Sequence, residues 1–220
     1  MSSPVICWDM NGTILNEEPT TETAELKIKN SIRYKTSEIS YEDEERSRTV
    51  SKFWEITPRK DIISVIDGLR GMGCVNVVTT NAGNLSEIEK VLSSLNLKDH
   101  FSGIYCVATG RLGKDYTFAL QQSSKDYSNA IAIGNEYDRD CPINPLGMPL
   151  ILDNRPFYES SSIDVALAIA ELLGAGNGNL SKGIENLFGN RNSRLIINIE
   201  KNVDSRSERF GALAVPVVRL

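Results

Sequence analysis

Apolar residues recur along this chain in two rhythms. Short runs rich in β-branched residues fall at "PVICW" (4–8), "CVNVVTT" (74–80), "GIYCVA" (103–108), "AIAIG" (130–134) and "PLIL" (149–152). Runs of this length predict strands, and the helical segments between them predict that the sheet is parallel. In "DIISVIDGLRGMG", Ile62, Val65, Ile66 and Leu69 share one helical face, and Gly71 and Gly73 end the helix. In "NLSEIEKVLSSLNL", Leu85, Ile88, Val91, Leu92 and Leu95 are spaced in the same way, and a third helix is expected within 162–174, where "SIDVALAIAELLGAG" stops at its glycines. Strand and helix alternating like this predict an α/β fold with an open, doubly wound parallel sheet. Ligands of such sheets bind at the carboxyl ends of the strands.

Two segments depart from the rhythm. Residues 15–57 are dense in charge ("YEDEERSR", 41–48), and the alternation in "ELKIKNSIRYK" (25–35) predicts a hairpin centred on Asn30 and Ser31. The segment is too short for a large domain and reads as an insertion or flap after the first strand. From residue 184 onward, "LIINI" and "ALAVPVV" stand apart among polar residues. They form either an extra strand pair or a C-terminal segment that docks elsewhere. The chain thus reads as one domain over 1–220, with an insertion at 15–57 and a C-terminal extension at 184–220.

Composition narrows the function classes. With 220 residues and 40% hydrophobic content, the chain can bury one sizeable core. No apolar run approaches the ~20 residues of a membrane span, and "MSSPVICWD" lacks the pattern of a secretory signal, so a soluble cytoplasmic protein with no membrane partner is expected. A net charge of −5 argues against a broad basic surface, so no nucleic-acid partner is expected. An anionic small molecule fits only if the site supplies its own positive charge. Cys7, Cys74, Cys106 and Cys141 show no CxxC spacing and are expected to be buried free thiols. The only histidine, His100, lies away from the motifs and is read as structural or exposed.

Candidate chemistry gathers at strand ends. Asp9 in "WDMNGT" follows the first strand, and Gly12 permits a tight turn whose amides can face an anion. "VVTTN" places Thr80 and Asn81 at the end of another strand. Lys114 lies in "GRLGKDY", and "IAIGNEYDRD" runs from a strand into Glu136, Asp138 and Asp140. Each feature alone has a commoner explanation: a turn aspartate, a helix cap, a solvated lysine, an acidic surface. Their joint order is more informative than any one of them.

In that order and spacing the chain resembles the haloacid dehalogenase superfamily of phosphohydrolases. The resemblance rests on "VICWDMNGT", "VVTTN", Lys114 and "IAIGNEYDRD", and covers residues 4 to about 153. Only about 43 residues separate the first motif from Pro58, which is closest to members without a large cap. The resemblance implies Asp9 as the nucleophile that forms an aspartyl-phosphate. It implies a phosphoryl cradle of Thr80, Asn81, Lys114 and the turn at Met10 and Asn11. It further implies a Mg²⁺ held by Asp9, Asn11 and the fourth-motif residues Asn135, Glu136 and Asp140. The expected partner is a small phosphorylated substrate or a phosphoprotein.

Two residues break the family's pattern. Asn11 stands where the phosphatases carry a second aspartate that protonates the leaving group and then deprotonates water. An amide does neither at neutral pH, and the loss predicts slow turnover or a persistent phosphoenzyme. Asn135 stands where the first fourth-motif aspartate is expected, which predicts weaker Mg²⁺ binding. The expectation is therefore a Mg²⁺-dependent phosphohydrolase of low turnover. The alternative is a catalytically degenerate relative that binds a phosphate ligand or a protein.

Overall fold

The predicted apolar runs all become strands of one sheet. The computed structural model describes residues 3–19, 54–81, 85–107, 113–122, 129–142, 148–156, 159–174, 178–188, 198–202 and 215–220. In chain order the elements are β1 (Val5–Trp8), β2 (Leu15–Pro19), β3 (Trp54–Pro58), α1 (Ile62–Gly71), β4 (Val75–Thr80), α2 (Leu85–Ser94), a 3₁₀ turn (Lys98–His100) and β5 (Gly103–Cys106). There follow α3 (Thr117–Gln122), β6 (Ala130–Gly134), α4 (Tyr137–Asp140), β7 (Leu150–Leu152), α5 (Ser162–Gly174), α6 (Gly178–Phe188), β8 (Asn198–Asn202) and β9 (Val215–Arg219). Two units are distinguished: Met1–Ile14 with Pro58–Leu220, and Leu15–Thr57. In the second, β2 pairs with β3 in a two-stranded sheet. The hairpin expected over 25–35 lies outside the described residues.

The larger unit holds a seven-stranded sheet ordered β5-β4-β1-β6-β7-β9-β8. All pairings are parallel except that of β8 with β9. From β1 the chain winds outward through β4 to β5, then returns to the other side of β1 with β6 and continues to β7. The order reverses between β1 and β6, the place where an open α/β sheet leaves a crevice at its carboxyl edge. The predicted α/β doubly wound fold is the observed one. Of the two outcomes left open for the C-terminal extension, the strand pair is realised, with β9 extending the parallel sheet beside β7.

The strands that carry the site are buried throughout: every residue of β1 and β6 is inaccessible or nearly so. Burying the Trp8 indole requires a partner for its N–H, which donates to Asn76 Oδ1 at 3.0 Å, while Asn76 Nδ2 donates to the Ile66 carbonyl at 3.2 Å. β1, β4 and α1 are thereby tied together inside the core. As expected, α1 buries Ile62, Val65, Ile66 and Leu69. Gly73, with φ of 90°, turns the chain out of the helix.

Three expectations need correction. In α2, Ile88 and Leu92 are buried, but Leu85 is 44% exposed because it opens the helix at its outer end. Among the cysteines, all free, Cys7 and Cys74 are buried and Cys141 is intermediate, but Cys106 is exposed, since it ends the strand at the sheet's edge. The strand expected over 103–108 stops at Cys106. Three helices were not named from the sequence, the short α3 and α4 and the longer α6; α6 packs on α5, and Ser181 Oγ donates to the Ala170 carbonyl at 2.7 Å. Among the described residues, no helix is long and apolar enough to cross a membrane.

Candidate active site

Asp9 leaves β1 at the point where the sheet order reverses, and its backbone N–H continues the ladder to the Ile133 carbonyl of β6 at 2.8 Å. The chain then turns sharply. The Met10 carbonyl accepts the Ile14 N–H at 2.9 Å, and Gly12 adopts φ of 77°. Glycine is required there for space as well as for φ, since a Cβ would lie 2.3 Å from Asn135 Nδ2. The first and fourth motifs are thus packed directly on each other.

Lys114 lies at the centre of the arrangement. Its backbone N–H donates to the Cys141 carbonyl at 3.0 Å, and the Gly113 N–H donates to the Asp138 carbonyl at 2.7 Å, which fastens this loop to the segment after β6. The side chain is fully inaccessible. Its three ammonium donors reach Asp9 Oδ1, Asp140 Oδ1 at 2.8 Å and the Thr79 carbonyl at 3.2 Å. A lysine has three donors and no more, so this one is fully used.

Asp140 is equally committed. Its Oδ2 accepts the backbone N–H groups of Asn135 and Glu136, each at 2.9 Å, and Oδ1 takes the lysine. Gly134 gives it room, because a Cβ there would stand 2.2 Å from Oδ2. The fully buried Tyr116 hydroxyl donates to the Asp140 carbonyl at 2.9 Å. Burial pushes the Tyr116 phenol well above its ordinary range, so it remains a neutral donor.

Two carboxylates therefore share one buried ammonium. Burial pushes the Asp9 carboxyl up to about 6; the Lys114 ammonium opposes this rise and the nearby Asp140 carboxylate reinforces it. Asp9 Oδ2, the oxygen not held by Lys114, has the Thr13 hydroxyl 3.4 Å away, and the same hydroxyl is 3.5 Å from Asn135 Oδ1.

Above this network opens a pocket of about 310 Å³ lined by Asp9, Asn11, Thr80, Asn81, Asn135, Glu136, Arg139 and Asp140. Seven of the nine site residues expected from sequence line it. Lys114 reaches it through Asp9, and Met10 buries its side chain and contributes its backbone to the turn. Asn81 Oδ1 is buried and has no protein partner among the described residues, a group that a ligand or water would satisfy. Asp138, considered as a charge in the acidic cluster, is exposed and does not line the pocket.

Two residues were missed. Thr13 reads in sequence as part of a turn, yet its hydroxyl lies between Asp9 and Asn135. Arg139 hides within the acidic cluster; it follows Glu136 by three residues on α4, and its Nε lies 3.0 Å from Glu136 Oε2.

No protein-family model and no curated protein matches the sequence. Solved structures do match the fold. A HAD-superfamily hydrolase from Ehrlichia chaffeensis aligns with a TM-score of 0.52 at 15% identity, covering 79% of this chain and 99% of that one. A predicted phosphoglycolate phosphatase from Haemophilus somnus gives 0.53 at 9% identity, over 72% of this chain and 89% of that one. A haloacid dehalogenase-like family hydrolase from Xanthomonas campestris gives 0.51 at 16% identity, over 71% and 84%. With the sheet order and the strand-end site, these alignments establish that the chain has the fold of the haloacid dehalogenase superfamily hydrolases.

Proposed function

We propose that the chain is a phosphohydrolase of low turnover that works through an aspartyl-phosphate on Asp9. The observation that carries this reading is the buried Lys114 ammonium held between Asp9 and Asp140 beneath a small pocket. A cation fixed there offsets charge as a phosphate meets a carboxylate, and it needs no rearrangement at the moment of reaction. One Asp9 carboxylate oxygen forms the bond to phosphorus while the bond to the leaving group breaks, and the other is left to face a cation. Thr80, Asn81 and the amides of the turn from Met10 to Thr13 hold the phosphoryl oxygens. Water then cleaves the acyl phosphate, returning the Asp9 carboxylate and releasing phosphate. Asn11 can neither protonate the leaving group nor deprotonate that water, an assistance typically worth ~10²–10⁴ in rate.

The pocket's donors suit Mg²⁺. They are hard oxygens: an Asp9 carboxylate oxygen, the Asn11 carbonyl, Asn135 Oδ1 and the Glu136 carboxylate. Asp140 spends both oxygens on Lys114 and the backbone, and so falls outside this set. Among the described residues no three His, Cys, Asp or Glu side chains gather as a metal-holding group, in keeping with a weak site. Bound there, Mg²⁺ would reduce the repulsion between the carboxylate and a dianionic phosphate. A pocket of about 310 Å³ suits a small phosphorylated substrate.

A second reading has its own support in Asn11 and Asn135, which replace charge at two lining positions and favour a phosphate-binding protein without turnover. Release of product from 4-nitrophenyl phosphate separates the two. Under the first reading the native chain turns over with Mg²⁺ and Asp9→Asn does not. Under the second, neither turns over and both retain affinity for a phosphorylated ligand.

A further inference from the structure

The pocket is acidic for a site that is to hold an anion. Three of its lining side chains, Asp9, Glu136 and Asp140, carry carboxyl groups. Lys114 answers two of them from beneath, where its donors are taken by Asp9, Asp140 and the Thr79 carbonyl. That ammonium offsets charge at the floor and has no donor to spare for the rest of a ligand.

Arg139 is the other cation that the described residues bring to this site. It lines the same pocket, and its side chain is 68% exposed where that of Asp9 is 11% exposed. The two stand at different depths, Asp9 at the floor and Arg139 toward the open side. Arg139 Nε lies 3.0 Å from Glu136 Oε2, three residues earlier, and this contact keeps the guanidinium beside the pocket. A guanidinium has five N–H donors and stays charged, so the Nε contact leaves donors for an incoming oxyanion. Because the Glu136 side chain is itself 51% exposed, solvent weakens the pair, and a ligand's oxyanion can share or replace it at little cost.

We infer, resting on the phosphohydrolase reading, that Arg139 selects phosphorylated compounds whose organic part carries a carboxylate. The phosphoryl end of such a molecule lies over Asp9 and its carboxylate meets the guanidinium, whose planar fork matches two carboxylate oxygens. A pocket of about 310 Å³ is small among ligand sites, which sets both residues against one compact molecule. A carboxylate fits better than a second phosphate, which would bring a further dianion against the lining carboxylates.

The test pairs 3-phosphoglycerate with glycerol 3-phosphate, which has a hydroxymethyl group in place of the carboxylate. Affinities are measured by calorimetry with Mg²⁺ on the full Asp9→Asn chain, where hydrolysis does not interfere, alone and combined with Arg139→Ala or Arg139→Glu. Asp9→Asn should bind 3-phosphoglycerate at least ~10-fold more tightly, the low end for hydrogen bonds to charged groups. Adding Arg139→Ala should abolish the difference and Arg139→Glu should reverse it, whereas a merely structural role would weaken both ligands alike. Equal affinities, no measurable affinity for either compound, or a preference that survives Arg139→Ala would overturn the inference. Hydrolysis of 4-nitrophenyl phosphate by the native chain reports separately on the phosphohydrolase reading. Turnover without the carboxylate preference sinks the inference alone; the preference without turnover sinks that reading and leaves Arg139 selecting the ligand of a binding protein.

Discussion

Lys114 Nζ lies 2.8 Å from Asp140 Oδ1, and neither side chain is more than 2% exposed. Asp9 completes the group from the pocket side. A buried ion pair adds little to stability over an apolar replacement of the whole group, but removing one partner leaves charge stranded in a poor solvent.

Lys114→Met therefore leaves two carboxylates facing each other without a cation. The expected loss is about 3–5 kcal/mol in urea unfolding at pH 7, together with loss of all phosphatase activity. A variant within 1 kcal/mol of the native chain would show that the ammonium does not hold this site together. Arg139→Ala is the control. Its pair with Glu136 is well exposed, and exposed pairs contribute ~0–1 kcal/mol.

Asp9 makes a prediction whose sign differs between stability and activity. Its carboxyl in the folded protein is raised from the ordinary value of 3.8 to about 6, so the folded chain holds that proton more tightly than the unfolded chain does. This group's contribution to stability is favourable below about pH 4 relative to neutral pH, and it declines as pH rises from there through 6. The ionised nucleophile grows over the same interval. Activity should rise through pH 6 while the Asp9 component of stability falls. Thermal melts of the native chain and Asp9→Asn between pH 5 and 8 isolate that component, because the variant lacks it. The melting temperature of Asp9→Asn relative to the native chain should increase across this range; a flat or falling difference contradicts the assignment.

The strand-end acid, hydroxyl and amide were legible because each follows an apolar run whose length is fixed by the sheet, and Lys114, in a polar loop, only by its order among them. Asp9 after "VICW" and Asp140 after "AIAIG" lie where an open sheet exposes its carboxyl edge, and their order with the other two motifs suggested chemistry. Pairings between single distant residues leave no such periodic trace. Arg59 and Asp153 are an example: 94 positions apart, they form a buried pair at 3.0 Å that nothing in either local sequence announces. Helix α6 was hidden for another reason: "GAGNGN", which runs into its first turn, reads as a loop, while the packing that stabilises the helix comes from α5.

That distant pair carries a prediction of its own. Asp153 closes β7, accepts Arg59 Nη1 at 3.0 Å and is also held by Arg155 through Nε at 2.8 Å. Both members of the Arg59 pair are almost wholly buried, whereas Arg155 is partly exposed and also reaches Asp164 at 2.7 Å. Asp153→Ala breaks the buried ion pair and should cost about 3–5 kcal/mol. Arg155→Ala leaves the Arg59 pair in place and should cost less, about 1–3 kcal/mol, the range of hydrogen bonds to charged groups. Equal losses in the two variants would show that burial does not separate their roles.

The last prediction concerns the contact that joins the first motif to the fourth. Gly12→Ala imposes two separable penalties: a non-glycine residue at φ of 77°, and a Cβ that meets Asn135 Nδ2 at 2.3 Å and Cγ at 2.7 Å. The first is a backbone effect on the order of 1 kcal/mol, while the second forces the Asn135 side chain or the turn to move. Asn135→Ala removes the atoms that would collide and leaves φ unchanged. Gly12→Ala should thus cost distinctly more in the native background than in the Asn135→Ala background, with a coupling of about 1–3 kcal/mol in a double-mutant cycle. Additive losses would mean that the turn around Asp9 is set by its own backbone alone. A clear coupling would mean that Asn135 fixes the turn that presents the nucleophile, giving the residue at this position a structural reason to be an amide of that size.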